Sequence, residues 1–340
     1  MIWWLSHEFE KKRAFLEKRA ALIRDIRQFF DQSEFIHVET PALQVCPTMD
    51  VHIYAFRTEY WGPDGLDKRT FFLQTSPEFD MKKLLVAGME RIYQICPVYR
   101  NAEDSNLHSP EFTILEWYRA GADYNNMMDD CLDLLRMIAD KQDIVSYTHA
   151  GKTCDPFKEW QRLCVCEAFK RFADIELEAC LKDRDAFARE AQRIGVRVLD
   201  TDAWDDVFHA VMAEKIEPYL GMDVPTILYD YPVSMAALSR RKVSDPRFAE
   251  RFELYVCGIE LANAYSELTD AQEQRSRFKA EMAAKQKLYG ESYPPDENFF
   301  KALEHGMPEC GGIALGIDRL VMLATGTDTI DDILWAPVQI

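Results

Sequence analysis

The sequence has no long hydrophobic run. Its apolar opening, MIWWL, is five residues long and is followed at once by the charged segment SHEFEKKR. A membrane-spanning helix needs about 20 mainly apolar residues, and a secretory signal needs an apolar region of about 7–15 residues. We therefore expect no membrane association and no secretory leader.

The sequence also lacks paired cysteine motifs. Its nine cysteines are an odd number and form no CxxC pair, and Cys164 and Cys166 make a lone C-x-C. A zinc site needs further ligands at suitable spacing, and disulfide frameworks show even cysteine counts. The cysteines thus favour neither a zinc site nor a disulfide framework. They predict a reducing, cytoplasmic location.

The sequence has fewer basic than acidic residues. Lysine and arginine total 40 against 58 acidic residues, which gives a net charge of −18. Such a field repels polyanions, so tight general binding to nucleic acids is disfavoured. The apolar share of 48% and aromatic share of 12% are typical of a globular chain. A length of 340 residues allows one large domain with an insertion, or two domains.

Alternating patterns predict an antiparallel sheet with flanking helices. A helical period covers residues 8–32 and leads into the short strand of FIHVETPAL. Pro77 can occupy the first position of a helix that Gly88 ends. Further strands rich in β-branched and aromatic residues are predicted at 51–56, 69–74, 91–100 and 111–120.

From about 124 to 225 the pattern becomes helical, including the segment WQRLCVCEAFKRF. Strand patterns resume at PTILYDYP, RFELYVCGIELANAYSEL and GGIALGI, with helices at 270–288 and after Asp318. The chain therefore reads as an α+β protein, in which one antiparallel-sheet domain is interrupted by a helical insertion at approximately 124–225.

Three segments carry candidate chemistry. The first is YRNAEDSNLHSPEF, where Arg100 ends one strand and Glu111 begins the returning one. Arginine pairs bidentately with phosphate and stays charged. The alternative is a surface ion pair with Glu103 or Asp104.

The second segment, GIELANAYSEL, holds Glu260 and Glu267 seven residues apart. An extended chain places them on opposite faces unless a bulge lies between them, and the Ala-Asn-Ala run is suited to one. Two converging acids need a cation, and Mg²⁺ takes one or two carboxylates plus phosphates. Two separate solvent-facing acids are the alternative.

The third segment is GGIALGIDRLVML. Its glycines leave room for a flat ligand against the backbone, and Asp318 opens a helix with Arg319 in its first turn. A cation at that helix end is unfavourable unless an anion meets it. The alternative is a plain glycine-rich turn.

Three features resemble, in order, the three signature motifs of class II aminoacyl-tRNA synthetases: the helix and strand that end at Pro41, the strand of Arg100 with its returning partner, and the glycine-rich strand that runs into the helix of Arg319. TSPEFDMKKLLVAG, HSPEFTILEWY, GIELANAYSELTDAQEQ and GGIALGIDRLVML resemble the catalytic domain of lysyl-tRNA synthetases, and most closely that domain's stand-alone paralogues, the elongation factor P–(R)-β-lysine ligases. The likeness covers nearly the whole chain. It implies the class II catalytic fold, a homodimer formed through the first helix and strand, and no anticodon-binding domain.

The resemblance implies roles for matching residues. It assigns the catalytic contacts with the phosphates of ATP to Arg100 and Arg319, and Mg²⁺ to Glu260 and Glu267. The implied amino-acid pocket is Ser76, Pro77, Glu78, Glu116, Tyr118, Glu267 and Ala314, although a capped core acid is the alternative for Glu116. The implied nucleotide contacts are Arg100, Asn101, Ala102, Glu103, Ser109, Glu260, Leu261, Gly316 and Arg319.

Several residues depart from the family patterns. Thr269 and Gln272 remove a carboxylate present in the synthetases, and Ala314 replaces a glycine. These changes imply a substrate whose amine lies elsewhere, as in a β-amino acid. Ala102 stands where both families have Glu, with Glu103 one place later, and Ser109 replaces an Asn. Contacts with adenine are therefore expected to be weaker than contacts with phosphate.

The resemblance implies an ATP-dependent ligase that activates (R)-β-lysine or lysine as an adenylate and transfers it to a lysine of elongation factor P. Its cofactors would be ATP and Mg²⁺, and tRNA is an unlikely partner. One alternative keeps the adenylation and changes the acceptor to tRNA or a small amine. Another, suggested by Ala102 and Ser109, is a non-catalytic regulatory paralogue.

Overall fold

The protein is described by a computed structural model that covers residues 3–338. Met1 and Ile2 of the apolar opening lie outside this range. The helices are α1 (Ser6–Gln32), α2 (Glu78–Val86), α3 (Tyr124–Lys141), α4 (Val165–Ala168), α5 (Leu177–Cys180), α6 (Arg184–Arg193), α7 (Trp204–Val211), α8 (Ala271–Tyr289), α9 (Glu297–Gly306) and α10 (Ile317–Thr325). The strands are β1 (Ile36–His37), β2 (Leu43–Gln44), β3 (Arg57–Trp61), β4 (Lys68–Leu73), β5 (Arg91–Tyr99), β6 (Glu111–Ala120), β7 (Tyr147–His149), β8 (Lys152–Cys154), β9 (Gln161–Cys164), β10 (Thr226–Pro232), β11 (Phe248–Val256), β12 (Ile259–Ser266) and β13 (Cys310–Gly316).

An eight-stranded sheet forms the centre of the fold, with the strand order β1-β5-β6-β13-β12-β11-β10-β9. The six inner strands are antiparallel, and β1 and β9 pair in parallel at the two edges. The predicted α+β class with an antiparallel sheet flanked by helices is confirmed.

One face of the sheet is covered by α1, α3 and α10, which supply much of the first hydrophobic core. Leu22, Ile26 and Phe30 on α1 are fully buried there, together with Trp117 of β6. Apolar residues alternate along the strands on this face, so the residues between them point to the opposite face. That opposite face carries the polar side chains described below.

The helices α4 to α7 pack with residues of β9, β10 and β11 in a second hydrophobic core, which includes Phe169, Phe187 and Phe208. In the region 124–225, where the sequence predicts helices, the structure also has the short strands β7, β8 and β9. Gln161–Cys164, predicted as helix, is the edge strand β9 because it pairs in parallel with Thr226–Tyr229. The helix begins at Val165, where the Cys164 sulfur accepts the amide of Glu167. The predicted insertion boundaries of 124–225 remain a prediction. Helix α3 lies within them but packs in the first core, together with the sheet.

The strand predicted at residues 51–56 was also wrong. The backbone there is bound by a side chain, because Lys285 of α8 donates to the carbonyls of Val51 and Ile53 at 2.7 and 2.8 Å. His52 N donates to Asp50 Oδ1, which makes a local turn. The strand begins only at Arg57.

A bulge does lie between Glu260 and Glu267, but it is at Leu261 and not in the Ala-Asn-Ala run where it was predicted. Leu254 pairs with Ala262 and the next residue of β11, Tyr255, pairs with Glu260, so Leu261 is the extra residue on β12. Within residues 3–338, no helix is both long and apolar enough to cross a bilayer.

Candidate active site

The polar face of the sheet forms the floor of a cavity of about 740 Å³. Residues that stand opposite each other across the ladder share a face, so pairing fixes which side chains meet. Ala314 of β13 pairs with Glu116 of β6 and with Asn263 of β12. The bulge at Leu261 brings Glu260 onto the same face as Asn263, because it inserts one residue into the alternation.

Most of the residues predicted to form the site line this cavity. They are Ser76, Glu78, Arg100, Glu103, Ser109, Glu116, Tyr118, Glu260, Leu261, Ala314, Gly316 and Arg319. Pro77 and Glu267 do not line it, although both lie next to residues that do. Asn101 and Ala102 are exposed on the loop after β5 and do not line the cavity, and Ala102 has a left-handed backbone with φ of 63°.

Arg100 and Arg319 lie on the same cavity. The Arg100 guanidinium is stacked over the Phe112 ring at 5.2 Å, and its buried Nε has no hydrogen-bond partner in the described part of the chain. A buried, unpartnered donor is costly, so this atom favours an incoming acceptor.

Arg319 is fixed on two sides at the start of α10. Its Nη1 donates to the carbonyl oxygen of Glu260 at 2.7 Å, and its Nη2 lies 2.8 Å from His108 Nε2. Burial and the neighbouring Arg319 charge lower the pKa of His108, so the ring is neutral and can accept this hydrogen bond. His108 Nδ1 in turn lies 2.8 Å from Ser105 Oγ.

Glu116 lies further along the same face, four residues from Phe112 on β6, which is about 13 Å at the rise of a strand. Ser76 Oγ donates to its Oε1 at 2.6 Å, and the Tyr118 hydroxyl donates to its Oε2 at 3.0 Å. Burial, and then the charge of Glu78, raise the pKa of Glu116 to about 8. The carboxyl group is therefore poised to ionise when a cation approaches.

Beside it, Lys82 of α2 joins two further acids. Its Nζ contacts Glu78 Oε1 and lies 2.5 Å from Glu267 Oε2. Burial alone lowers the pKa of Lys82, but the charges of Glu267 and Glu78 outweigh it and raise that pKa. Burial raises the pKa of Glu267 as well, against the effect of Lys82. This corner holds three carboxyl groups against one ammonium group.

Gly312 makes this corner possible. A Cβ there would lie 2.1 Å from Glu267 Oε1 and 2.4 Å from the Tyr118 ring. Only glycine permits this close approach of Glu267 to the strand, so Gly312 is required by packing rather than by its backbone dihedrals.

Glu260 has a different acidic neighbour from the predicted one. The charge of Glu253 on β11 raises its pKa, and Glu253 and Glu260 together raise the pKa of Glu217. Burial, followed by Glu253, raises the pKa of Glu260, while Arg319 and Arg251 oppose the shift. Glu260 and Glu267 therefore have separate partners, although they share one face of the sheet.

Residues 3–339 match the family described as tRNA synthetases class II (D, K and N). The chain belongs to this family. Among curated proteins it is 39% identical over 325 residues to an elongation factor P–(R)-β-lysine ligase of Yersinia enterocolitica, covering 95% of this chain and 94% of that protein. It is also 39% identical over 323 residues to the ligase of that name from Vibrio cholerae, covering 95% and 94%. The ligase of that name from Photobacterium profundum is 38% identical over 327 residues, with 96% of both chains covered.

These comparisons confirm the predicted resemblance along nearly the whole chain, and with it the class II fold and a ligase family. The sequence analysis missed Lys82 and His108, which contact Glu267 and Arg319, and it missed Arg251 and Glu253, whose charges act on Glu260. The alternation in RFELYV carried a usable signal, since Arg251, Glu253 and Tyr255 occupy every second place between buried apolar residues. Lys82 lies four residues after Glu78, a spacing that favours an ion pair on a helix. Its contact with Glu267, and that of His108 with Arg319, join distant segments and have no such signal.

Proposed function

We propose that this protein uses ATP to activate (R)-β-lysine or lysine as an aminoacyl-adenylate and transfers the acyl group to a lysine side chain of elongation factor P. One observation carries the proposal. A single cavity has two arginines at one end and a cluster of buried acids at the other, with an open floor between them. This arrangement suits a molecule that is anionic at one end and cationic at the other.

The acidic end suits an amine. Glu78 and Glu267 already outnumber Lys82, and Glu116 can ionise beside them, so an added ammonium group balances the corner. The Tyr118 hydroxyl and Ser76 fix the orientation of Glu116. Burial of unpaired charge is expensive, which makes binding of an uncharged side chain unfavourable there.

At the basic end, a carboxylate oxygen of the substrate would attack the α-phosphorus of ATP. A new P–O bond forms to that oxygen, and the P–O bond to the leaving pyrophosphate breaks. Charge develops on the non-bridging oxygens in this displacement, so positioned cations are enough for catalysis. We assign the α-phosphate to Arg100, whose Nε is free, and the outer phosphates to Arg319 at the start of α10.

Glu260 is the protein carboxylate that we propose to hold one Mg²⁺ ion together with the phosphates. Bound there, the ion would neutralise phosphate charge. The Glu260 side chain lines the cavity and is 41% exposed. Glu267, the second ligand implied by the resemblance, is paired with Lys82, and Glu253 is likewise paired with Arg251.

In the second step the acceptor amine, in its neutral form, would attack the adenylate carbonyl. An amide bond forms, AMP leaves with the bonding electrons, and the amine releases a proton to solvent. We infer a protein acceptor rather than tRNA because the net charge of −18 opposes a polyanion. A cytoplasmic location is proposed from the nine free cysteines.

We also propose a homodimer formed along α1 and β1. Ile36, Leu43 and Val45 are apolar and about half exposed beside this helix, and together they suit burial against a second copy. Sedimentation at several concentrations measures the mass. A monomer at all concentrations would contradict the dimer without affecting the proposed chemistry.

The function is tested by pyrophosphate exchange and by acyl transfer. Purified protein with ATP, labelled pyrophosphate and (R)-β-lysine or lysine should return label to ATP, and added elongation factor P should gain the mass of the acyl group. Lack of exchange with every lysine isomer would refute the adenylation. Exchange without transfer to the factor, but with transfer to tRNA, would refute the acceptor.

A further inference from the structure

We propose that His209 of α7 is the catalytic base of the second step, which takes the proton that the acceptor amine loses as it attacks the adenylate carbonyl. This inference rests on the proposed function, because it concerns the acyl transfer described there. It gives the predicted helical insertion a chemical role, since α7 lies within residues 124–225.

The chemistry proposed above leaves part of the cavity wall without a role. The two arginines form the nucleotide end, and the buried acids form the amine corner. A further group of lining residues comes from α7, α8 and the segment before β3, and none of them is assigned to either substrate. They are Asp50, His52, Asp205, Asp206, His209 and Glu281. This group is the part of the wall left for the acceptor.

The sequence of α7 places His209 on this wall. Val207, Phe208 and Val211 are buried in the second core, so one face of the helix is fixed against it. Asp205 and His209 are four residues apart and therefore share another face, which lines the cavity.

His209 stands on the β11 side of the cavity floor. The charges of Arg251 and Glu253 on that strand both act on its ring. Two strands, β12 and β13, separate β11 from the strand of Glu116, so these two sides lie about 14 Å apart at the usual strand spacing. An acceptor lysine that enters past His209 thus brings its amine towards a carbonyl held over the middle of the floor.

The His209 ring is free to accept a proton. Its side chain is exposed to the cavity, and within residues 3–338 its nitrogens make no hydrogen bond. Desolvation by the cavity wall, followed by the charge of Arg251, lowers the pKa of His209. The imidazole is therefore neutral at pH 7, which is the form that a general base needs.

The neighbouring histidine is not free in this way. His52 Nδ1 lies 2.9 Å from the Tyr289 hydroxyl, and its Nε2 lies 3.4 Å from Asp205 Oδ2. The two histidine rings are 6.1 Å apart. Both nitrogens of His52 are thus occupied, and His209 is the histidine of this wall that can take a proton from the acceptor.

The groups around His209 suit an incoming lysine. The titratable groups that face this part of the cavity are Asp50 and His52 before β3, Asp205 and Asp206 on α7, Arg251 and Glu253 on β11, and Glu281 on α8. Five of these seven are acids, which attract a lysine side chain. They also stabilise the imidazolium that forms when His209 accepts a proton.

The step balances as a simple acyl transfer. The lone pair of the neutral amine forms the C–N bond, and His209 takes one N–H proton from the nitrogen, which has become positively charged. The C–O bond to AMP then breaks and AMP leaves with the electron pair, after which the imidazolium passes its proton to solvent. Such a base typically contributes roughly 10²–10⁴-fold to the rate.

The test measures acyl transfer apart from adenylation. Protein loaded with ATP and (R)-β-lysine is mixed with elongation factor P, and the acylated factor is measured in a single turnover. His209→Gln and His209→Ala should slow transfer roughly 100-fold or more. Pyrophosphate exchange needs no acceptor, so it reports the first step separately and should keep its rate. His305→Gln is the control, because His305 is exposed on α9 and does not line the cavity.

The pH profile and chemical rescue distinguish a base from a residue that only packs or docks. As the pH falls below about 6.5, protonation of His209 should slow transfer beyond the loss of neutral acceptor amine, and His209→Gln should lack this additional fall. Added imidazole should restore transfer to His209→Ala but not to His209→Gln. A residue needed only for packing would show neither effect.

The outcomes separate this inference from the proposed function. If His209→Gln transfers at the rate of His305→Gln, or if only His52→Gln slows transfer, the catalytic role of His209 is refuted and the proposed function stands. A slow His209→Ala that imidazole does not restore, with an unchanged pH profile in His209→Gln, also refutes it. If the unaltered protein exchanges no pyrophosphate or acylates no protein amine, the proposed function fails and this inference with it.

Discussion

Arg19 of α1 forms a buried ion pair with Asp318, the residue that precedes Arg319. Its Nη1 contacts Asp318 Oδ1, and its Nη2 donates to Thr113 Oγ1 at 2.8 Å. Asp318 Oδ2 also accepts the amide of Thr113 at 2.7 Å. The long first helix, β6 and the start of α10 therefore meet at one buried pair, next to an arginine of the site.

The first prediction concerns this pair. Arg19→Met removes the partner of a buried carboxylate, and breaking a buried pair costs about 3–5 kcal/mol of unfolding free energy. Burial already raises the pKa of Asp318 against the effect of Arg19, so part of the cost is avoided if Asp318 becomes protonated. Urea denaturation measures the loss. Arg13→Met on the same helix, where Arg13 pairs with Glu10 at the surface, is the control and should unfold at the unaltered urea concentration.

The second prediction tests the two arginines of the cavity. Arg100→Lys and Arg319→Lys keep the charge but lose the planar fork, so each should lower the rate of pyrophosphate exchange at least roughly 100-fold. Arg91→Lys on the same strand as Arg100 is the control, since Arg91 is exposed and donates to the Ser33 carbonyl. Exchange at the normal rate in Arg100→Lys would contradict the assignment of the α-phosphate.

The third prediction is a pH dependence. The pKa of Glu116 is raised to about 8 from 4.5, so without substrate the group is mainly protonated at neutral pH. An ammonium group binds the ionised form better, and the substrate amine stays charged up to about pH 10. Affinity for the diamino acid should therefore increase as the pH rises from 6.5 to 8.5.

Glu116→Gln should remove most of this increase and weaken binding at pH 8.5 more than at pH 6.5. Calorimetry in buffers with different ionisation enthalpies should detect proton release on binding by the unaltered protein. The same raised pKa implies that Glu116 stabilises the folded, substrate-free protein below about pH 4.5, and that this contribution is lost as the pH rises towards 8. Affinity that falls with rising pH would contradict the ammonium site.

The fourth prediction concerns substrate choice. Ala314 lines the cavity opposite Glu116, and in the proposed function its methyl group would take space beneath an amino acid bound there. Ala314→Gly should shift kcat/KM from (R)-β-lysine towards lysine, since one methyl group is worth roughly 10-fold or more in such a pocket. Both substrates are measured with the same preparation of the variant, so a general loss of activity cancels in the ratio of the two kcat/KM values. An unchanged ratio would show that the floor does not discriminate.

The fifth prediction separates two neighbours in the loop after β5. Glu103 lines the cavity, whereas Ala102 is exposed. Glu103→Gln should therefore raise the KM for ATP with little change in kcat, and Ala102→Ser should leave both unchanged. Equal effects of the two changes would indicate that the loop contacts ATP differently.

Local patterns were sufficient to predict most of the sheet and the presence of a bulge between Glu260 and Glu267, although not its place at Leu261. The alternation of apolar residues is set by burial on one face, so it survives in the sequence. The local patterns failed where a distant side chain forms hydrogen bonds with the backbone in place of a neighbouring strand. Lys285 does this by donating to the carbonyl oxygen of Val51. They also failed at β9, which depends on pairing with a strand more than sixty residues away.

The site was predictable to a similar extent. Arg100, Glu116 and Glu260 lie where motif and periodicity predicted, on one cavity. The pairing of Glu267 with Lys82, and of Glu260 with Glu253, was not predictable from spacing. Both pairs join different elements, and only the three-dimensional packing decides which acid lies beside which base.

The extra residue at Leu261 has a consequence for how this strand can vary. Loss of Leu261 itself would leave Glu260 six residues from Glu267, so both acids would still lie on one face of a regular strand. Loss of the bulge with every residue kept would instead turn Glu260 towards the apolar helices. The face that Glu260 occupies therefore depends on the pairing register between β11 and β12, and not on the residues of β12 alone.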